Sequence, residues 1–349
     1  MPLNRVRIQR FRCLSEVELA LHPRRTYVFG ANGAGKTSLL EAIYLLGRGR
    51  SFRTRQSRRL IQHGATGFSV YGELELAGSA HRLGVGRGAG GLELRLDGAP
   101  APGMASLAQL LPVHVIEPNI HRLIEGGPKD RRRFLDWGVF HVEQAYLGAW
   151  RRYRRILGQR NAALKAGDGE TSWNEGLIEA GLAVTQARER YVSELAGALV
   201  GLGETLLDGP LEVRYRTGWR EGFGFAEALQ ASFDRDRATG ATQVGPHRAD
   251  LMVKLGARGV REEVSRGQQK LVAAGLILAQ IRVFAANRAD GGVLLVDDPA
   301  AELDKVALQA LISVLDDLPA QLVVTGLSES FLPPAPGYPV FHVEQGRVR

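Results

Sequence analysis

The stretch "GANGAGKT", Gly30–Thr37, constrains the fold of this chain more than any other. It matches the phosphate-loop pattern of a glycine, four residues and then Gly-Lys-Ser/Thr, and its flanks are those the pattern requires. "TYVF" reads as a buried strand before it and "SLLEAIYLL" as an apolar helix behind it. Strand, glycine loop and helix in that order make the phosphate-holding unit of an α/β core. Gly30, Gly33 and Gly35 let backbone N–H groups turn inward on phosphate oxygens, and the helix beginning near Lys36 presents its positive dipole end to the same charge. Lys36 adds a compact ammonium toward the β- and γ-phosphates, Thr37 a hydroxyl toward Mg²⁺, and Ala31, Asn32 and Ala34 complete the cradle. The plain alternative is a glycine-rich turn without a ligand. It gives no reason for a lysine here, in a chain where only 6 of 45 basic residues are Lys.

Two further stretches carry chemistry. In "VLLVDDPAAELD" (293–304) four apolar residues read as a strand through the sheet, with Asp297 and Asp298 at its C-terminal end, where open α/β sheets place their ligands. Asp297 is then the candidate carboxylate for Mg²⁺, and Asp298 the candidate base that orients or activates an attacking water. The competing reading is a charge pair at a helix N-terminus, with Pro299 in the first turn. "SRGQQK" (265–270) precedes the helical run "LVAAGLILAQ". Ser265 and Gly267 there make a second anion-holding turn, more than two hundred residues from the first.

The chain divides into three blocks. Up to about 118 it reads as strands and hairpins, "RVRIQRF", "VELAL", "FSVYGELEL", "HRLGVG", "LELRLDG" and "VHVIEP", with "KTSLLEAIYLLG" as the obvious helix. Residues 119–243 read as helical: "RRRFLDWGVFHVEQAYLGAWRRYRRILGQRNAALKAG" as one or two helices ending at Gly167, then the turn "GDGETS", then a seam of Val192, Leu195, Leu199, Leu202 and Leu206. From 244 onward the α/β pattern returns and closes on the hairpin "VFHVEQGRV". The expected architecture is an α/β ATPase core of mixed sheet with N-terminal β-hairpins, formed by 1–118 and 244–349, with a helical lid or arm of 119–243 inserted.

Composition narrows the class. At 349 residues and 44% hydrophobic the chain is long enough for this core and a second domain. No uninterrupted apolar run approaches the roughly 18 residues of a membrane span, and the N-terminus lacks the apolar stretch of a secretion signal. A soluble, cytoplasmic protein is expected. Cys13 is the single cysteine, so an internal disulfide and a cysteine-held zinc are excluded and any metal falls to oxygen ligands. The net charge is +8. Surplus arginine has two readings, compositional drift on solvated faces and a polyanion partner, and clustering favours the second. "RGRSFRTRQSRR" (48–59), "RRR" (131–133) and "RRYRR" (151–155) form stripes of the kind that neutralise nucleic-acid phosphates. Arg53, Arg55, Arg58, Arg151, Arg152, Arg154 and Arg155 are the candidate nucleic-acid contacts, and charge alone does not tell DNA from RNA.

Taken in order, "GANGAGKT", "SRGQQK", "VLLVDD" and "AELD" resemble the ATPase heads of the ABC and SMC type. The spacer segments "EGGPKDRRRFLDWGVFHVE", "QRNAAL", "VGPHRADL" and "SRGQQKL" resemble the RecF family of bacterial recombination mediators over essentially the whole chain. The resemblance implies two heads that sandwich two ATP molecules, with Ser265 and Gly267 of one copy on the γ-phosphate held by the other. It implies Mg²⁺ at Thr37 and Asp297, Asp298 in the place where most relatives have Glu, and slow turnover from the shorter side chain. It also implies that Arg12 approaches the adenine, although an exposed arginine on a hairpin reads equally well, and it makes Gln62 the nearest candidate for the Q-loop role. Ala301–Asp304 resembles the D-loop. Thr325 and Gly326 stand where transporters carry a switch His, and "IEPNIH" (116–121) departs from the family's usual acidic pair. The implied function is an ATP-gated clamp on single-strand gaps and junctions that helps load recombinase in repair, replication, recombination and the SOS response, with RecR and RecO as partners. The alternative is the nucleotide-binding subunit of an ABC transporter; the helical insertion, the basic clusters and the missing His speak against it.

Overall fold

The computed structural model describes residues 3–167, 172–288, 291–330 and 336–349. They fall into two compact units, one of residues up to 120 with 284–349, the other of 121–283.

The first unit is built on two six-stranded sheets. One is an antiparallel sheet in the order Leu14–Ala20, Leu3–Phe11, Phe68–Leu76, Ser79–Gly88, Gly91–Leu96 and Ala99–Pro100. The other runs Arg347–Val348, Val340–Glu344, Arg25–Phe29, Gln321–Gly326, Val293–Val296 and Val113–Ile116. Its last five strands are parallel, so their C-terminal ends lie along one edge. Strands Arg25–Phe29 and Val293–Val296 are buried throughout, as parallel strands covered on both faces must be.

The helix Lys36–Arg48 packs against strands of both sheets and contributes Leu39, Leu40, Ile43, Leu45 and Leu46 to a single core with them. Residues 38–47 of this helix are all buried, so it is enclosed on every side. Gly47 marks the closest approach: a Cβ there would stand 2.3 Å from the Leu111 carbonyl. Gly49, at φ 61°, ends the helix in the left-handed conformation that favours glycine.

In the second unit the helices Tyr146–Ala166 and Asn174–Leu199 lie antiparallel, since Gly176 faces Ile156 while Gly181 faces Tyr153. Gly167, at φ 82°, caps the first of them, and most of the anticipated turn, 168–171, lies outside the described residues. Three buried arginines tie the unit together. Arg131 pairs with Asp250 through two bonds of 2.8 and 2.9 Å, Arg160 with Asp236 at 2.8 Å, and Arg188 with Asp136 at 2.7 Å.

Several sequence expectations need amendment. The apolar seam from Val192 to Leu206 is buried as expected, yet it is two helices, Asn174–Leu199 and Leu202–Leu207, broken at Val200 and at Gly201 with φ 77°. Met104–Leu110 is a second helix in the first block. "LEVRYR", within the block read as helical, is the strand Leu211–Arg216, and it pairs with Asp250–Leu255 in a three-stranded sheet. That pairing groups residues 244–283 with the second unit. The cluster 131–133 is no free basic stripe: Arg131 is buried on Asp250, Arg132 donates to the Ala249 carbonyl and Arg133 pairs with Asp130. One helix, Arg266–Arg288, has the length and mean hydropathy, 1.4 over 18 residues, of a membrane span. With 78% of that window buried it has the character of a core helix.

Candidate functional site

The parallel strands bring the site together. Gln321–Gly326 lies between Arg25–Phe29, which leads into the glycine loop, and Val293–Val296, which leads into the two aspartates. The three loop glycines prove to serve different ends. A Cβ on Gly30 would stand 2.4 Å from the Val343 carbonyl oxygen, and Gly35 adopts φ 123° with a Cβ position 2.9 Å from Leu14. Either replacement would force the cradle open. Gly33 differs from both: it is exposed on the cavity wall, and nothing lies within 4 Å of its Cβ position. Its φ of 79° is the left-handed turn that aims the loop, so Gly33 is required for backbone conformation rather than for room. The Lys36 ammonium bonds the loop's own carbonyls at Gly30, 2.6 Å, and Ala31, 3.2 Å.

Thr37, at the first turn of the helix, donates its hydroxyl toward both Asp297 oxygens, at 3.0 and 2.9 Å. Asp297 also accepts from Thr325 Oγ1 at 3.0 Å, and the same hydroxyl accepts from the backbone N–H of Asp298 at 3.1 Å. Thr325 thus fixes both aspartates from the intervening strand, a role no sequence motif announced. Burial pushes the Asp297 carboxyl above the ordinary range. Its hydrogen bonds from Thr37 and Thr325 oppose that rise, Asp298 adds to it, and Lys36 opposes it.

Asp298 is held at φ 45°, ψ 58°, a left-handed conformation that costs a non-glycine residue on the order of 1 kcal/mol or more. Burial raises its carboxyl as well, Lys36 opposes the rise and Glu302 adds to it. Among the described residues its Oδ1 is buried without a hydrogen-bond donor. The fold thus leaves a buried acceptor of Asp298 unsatisfied.

Gly33, Gly35, Lys36, Thr37, Asp297 and Asp298 line one cavity of about 510 Å³ together with Asn32, Arg53, Pro118 and Arg12. Arg12 reaches it from the β-hairpin side and makes two bonds, 2.9 and 2.8 Å, to Glu41. Glu41 is wholly buried one turn beyond Thr37 and also receives Ser51 and, at 3.4 Å, Arg53. No motif singles out this carboxylate in the sequence. Gln62 lies apart from the cavity lining and donates to Ser15 Oγ at 2.8 Å.

The donor set suits Mg²⁺. Thr37 and Asp297 supply a hydroxyl and a carboxylate, and no group of three or more His, Cys, Asp or Glu among the described residues could hold a metal alone. Mg²⁺ is characteristically bound through one or two such ligands plus water and substrate phosphates.

Ser265 and Gly267 belong to the second unit and are exposed. Ser265 Oγ accepts from the Gln268 N–H at 3.3 Å, and the Gln268 side chain accepts from the Ser265 N–H at 3.1 Å. This reciprocal capping box opens the helix Arg266–Arg288 and leaves the turn facing solvent. Of the arginines singled out for DNA, all seven are exposed. Arg53 and Arg152 have acidic partners, Glu41 and Glu179, and Arg154 lies over the Trp150 ring.

Known proteins resemble this chain over essentially its whole length. Residues 2–347 match the RecF/RecN/SMC N-terminal domain. The DNA replication and repair protein RecF of Pseudomonas fluorescens Pf-5 is 40% identical, over 100% of this chain and 98% of its own length. Its counterpart in Shewanella baltica OS155 is 38% identical, over 100% and 99%. Among solved structures, the recombination mediator protein RecF-ATPrS in the RecFOR pathway superposes with a TM-score of 0.85 at 25% identity, over 99% of this chain and 97% of that one. RecF-ATP gives 0.88 at 24% identity, over 100% and 97%. An Smc head bound to the C-terminal winged-helix domain of ScpA gives 0.62 at 15%, over 100% and 96%. The fold is that of the ABC/SMC-type ATPase head, and from its sequence over its whole length the chain belongs to the RecF family.

Proposed function

We propose that this chain is an ATP-gated DNA-binding protein of DNA replication and repair. The observation that carries the reading is the Thr37 hydroxyl set against both oxygens of Asp297, in a cavity that also holds Lys36 and Asp298. Relatives named as DNA replication and repair proteins, and a relative solved as RecF-ATPrS, support it. Gly30–Thr37 holds the triphosphate, with Lys36 exchanging its loop carbonyls for phosphate oxygens. Thr37 and Asp297 hold Mg²⁺, which when bound neutralises charge on the β- and γ-phosphates. Asp298 takes the proton of the attacking water. Arg12 is the group nearest to the role of adenine contact, and Gln62 would have to shift from Ser15 to serve the cavity.

Ser265 and Gly267 act in the site of a second copy. Their capping box presents an exposed helix N-terminus suited to a γ-phosphate. The ATP-bound dimer clamps DNA at single-strand gaps, with Arg53, Arg55, Arg58, Arg151, Arg152, Arg154 and Arg155 on phosphates, and slow hydrolysis releases it in the cytoplasm. Recombinase loading, a place in the SOS response and partnership with RecR and RecO belong to the same reading.

Retention of radiolabelled ATP and release of phosphate test it. Lys36→Ala is expected to lose retention, and Asp298→Asn to retain ATP while phosphate release falls about a hundredfold, as expected of a general base worth 10²–10⁴. Hydrolysis by Asp298→Asn at the unaltered rate would refute the assignment.

A further inference from the structure

The second unit carries a cavity of its own, of about 460 Å³, within the roughly 300–1,000 Å³ typical of small-molecule sites. Arg152, Arg155, Ile156 and Gln159 line it from the helix Tyr146–Ala166, where spacings of three and four put them on one face. Trp173 and Gly176 line it from the start of the facing helix. Gly176 keeps it open, since a Cβ there would stand 3.3 Å from Ile156 Cδ1. Trp173, Ile156 and the bare Cα of Gly176 are its apolar share.

Its polar share is Arg152, Arg155, Gln159 and Ser172, and the two guanidiniums are only partly engaged. Arg152 is braced by two bonds of 2.9 and 2.6 Å to Glu179 and keeps 47% of its side chain exposed. Arg155 is exposed, and neither it nor Gln159 makes a side-chain bond among the described residues. The cavity therefore joins an indole, an uncompensated guanidinium and a free amide.

That combination matches one nucleotide. A base stacks on an aromatic ring, a guanidinium takes the adjoining phosphate in a fork, and an amide meets the base edge. A duplex keeps its bases stacked on each other and offers none of them to the indole. An acidic peptide would engage the arginines but has no use for the ring. We propose that this cavity is a subsite for one unpaired nucleotide of single-stranded DNA, with the base against Trp173 and the phosphate on Arg155. The proposal rests on the DNA-binding reading above and adds a source of preference for the single strand.

Fluorescence anisotropy of the full-length protein tests it, with a labelled oligothymidylate of about thirty nucleotides and a labelled duplex of equal length. Trp173→Ala is expected to weaken oligothymidylate binding about tenfold or more, in line with the loss of one stacked base, and to leave the duplex affinity unchanged. Trp173→Phe should restore most of the loss, and Arg155→Gln should lower the salt slope by about one. Unaltered oligothymidylate binding by Trp173→Ala, an equal loss on duplex, or a Phe variant as weak as Ala would overturn the subsite. If salt-sensitive duplex binding persists in those cases, the DNA-binding reading survives; if the wild type binds neither probe, both fail. A labelled oligoglutamate whose binding depends equally on Trp173 would assign the cavity to an acidic peptide and overturn the proposal.

Discussion

His247 is fixed as a neutral imidazole between two partners. The Tyr153 hydroxyl lies 2.6 Å from its Nδ1, and the Thr242 carbonyl 3.0 Å from its Nε2. A ring N–H donates to the carbonyl, so Nδ1 is left to accept from the phenol. Burial lowers its pKa to about 4, and Arg248, Arg132 and Arg154 reinforce that against the Thr242 bond. The folded value lies below that of an unfolded histidine, so the unfolded chain binds the proton more readily. This residue's contribution is complete above about pH 6.5 and is lost as pH falls toward 4, by at most about 3 kcal/mol. Urea unfolding between pH 7 and 4.5 should show a fall in the wild type that is absent in His247→Gln; equal slopes would contradict the assignment. In the sequence His247 was only part of a family pattern, because its partners lie 94 and 5 residues away. Thr325 was hidden for a similar reason: its effect comes from a strand inserted between two motifs. Lys36, Thr37 and Asp297, by contrast, were legible because phosphate and Mg²⁺ chemistry restricts both residue type and spacing.

At the scale of elements, the sequence was most readable where one periodicity ran unopposed. The strand–loop–helix unit around Gly30–Thr37, the buried strand Val293–Val296 and the helix ending at Gly167 follow directly from apolar pattern and glycine position. The strand Leu211–Arg216 was missed although "LEVRYR" alternates cleanly, because its partner Asp250–Leu255 lies across a long interval of helices. Local pattern cannot supply a distant pairing partner. Gly47 raises the opposite difficulty: a glycine inside a helix reads as weak propensity, yet Leu111 and Val113 crowd the place of its missing Cβ, at 2.3 and 2.5 Å. Gly47→Ala is therefore expected to destabilise the protein by about 1–3 kcal/mol despite alanine's better helix propensity. Stabilisation in a denaturant melt would show that the helix and the strand Val113–Ile116 part more easily than their packing indicates.

At the scale of the whole molecule, the basic clusters separate into two kinds. Arg131 is an interior strut, and loss of its carboxylate partner would leave a buried charge. Arg151 and Arg155 face solvent without ion pairs among the described residues. Composition could not divide them, since burial is decided by where the acidic partners fall in three dimensions. The two phosphate-holding turns pose the larger question. One is a cradle beside Thr37 and Asp297, the candidate Mg²⁺ ligands, and the other is an exposed, capped helix start. The proposed dimer, in which two copies act on one nucleotide, would account for both. Sedimentation of the protein with and without ATP and Mg²⁺, alongside Lys36→Ala and Ser265→Arg, tests this most directly. An ATP-dependent dimer that both substitutions abolish is the predicted result, and a wild-type monomer in every condition would contradict the shared site.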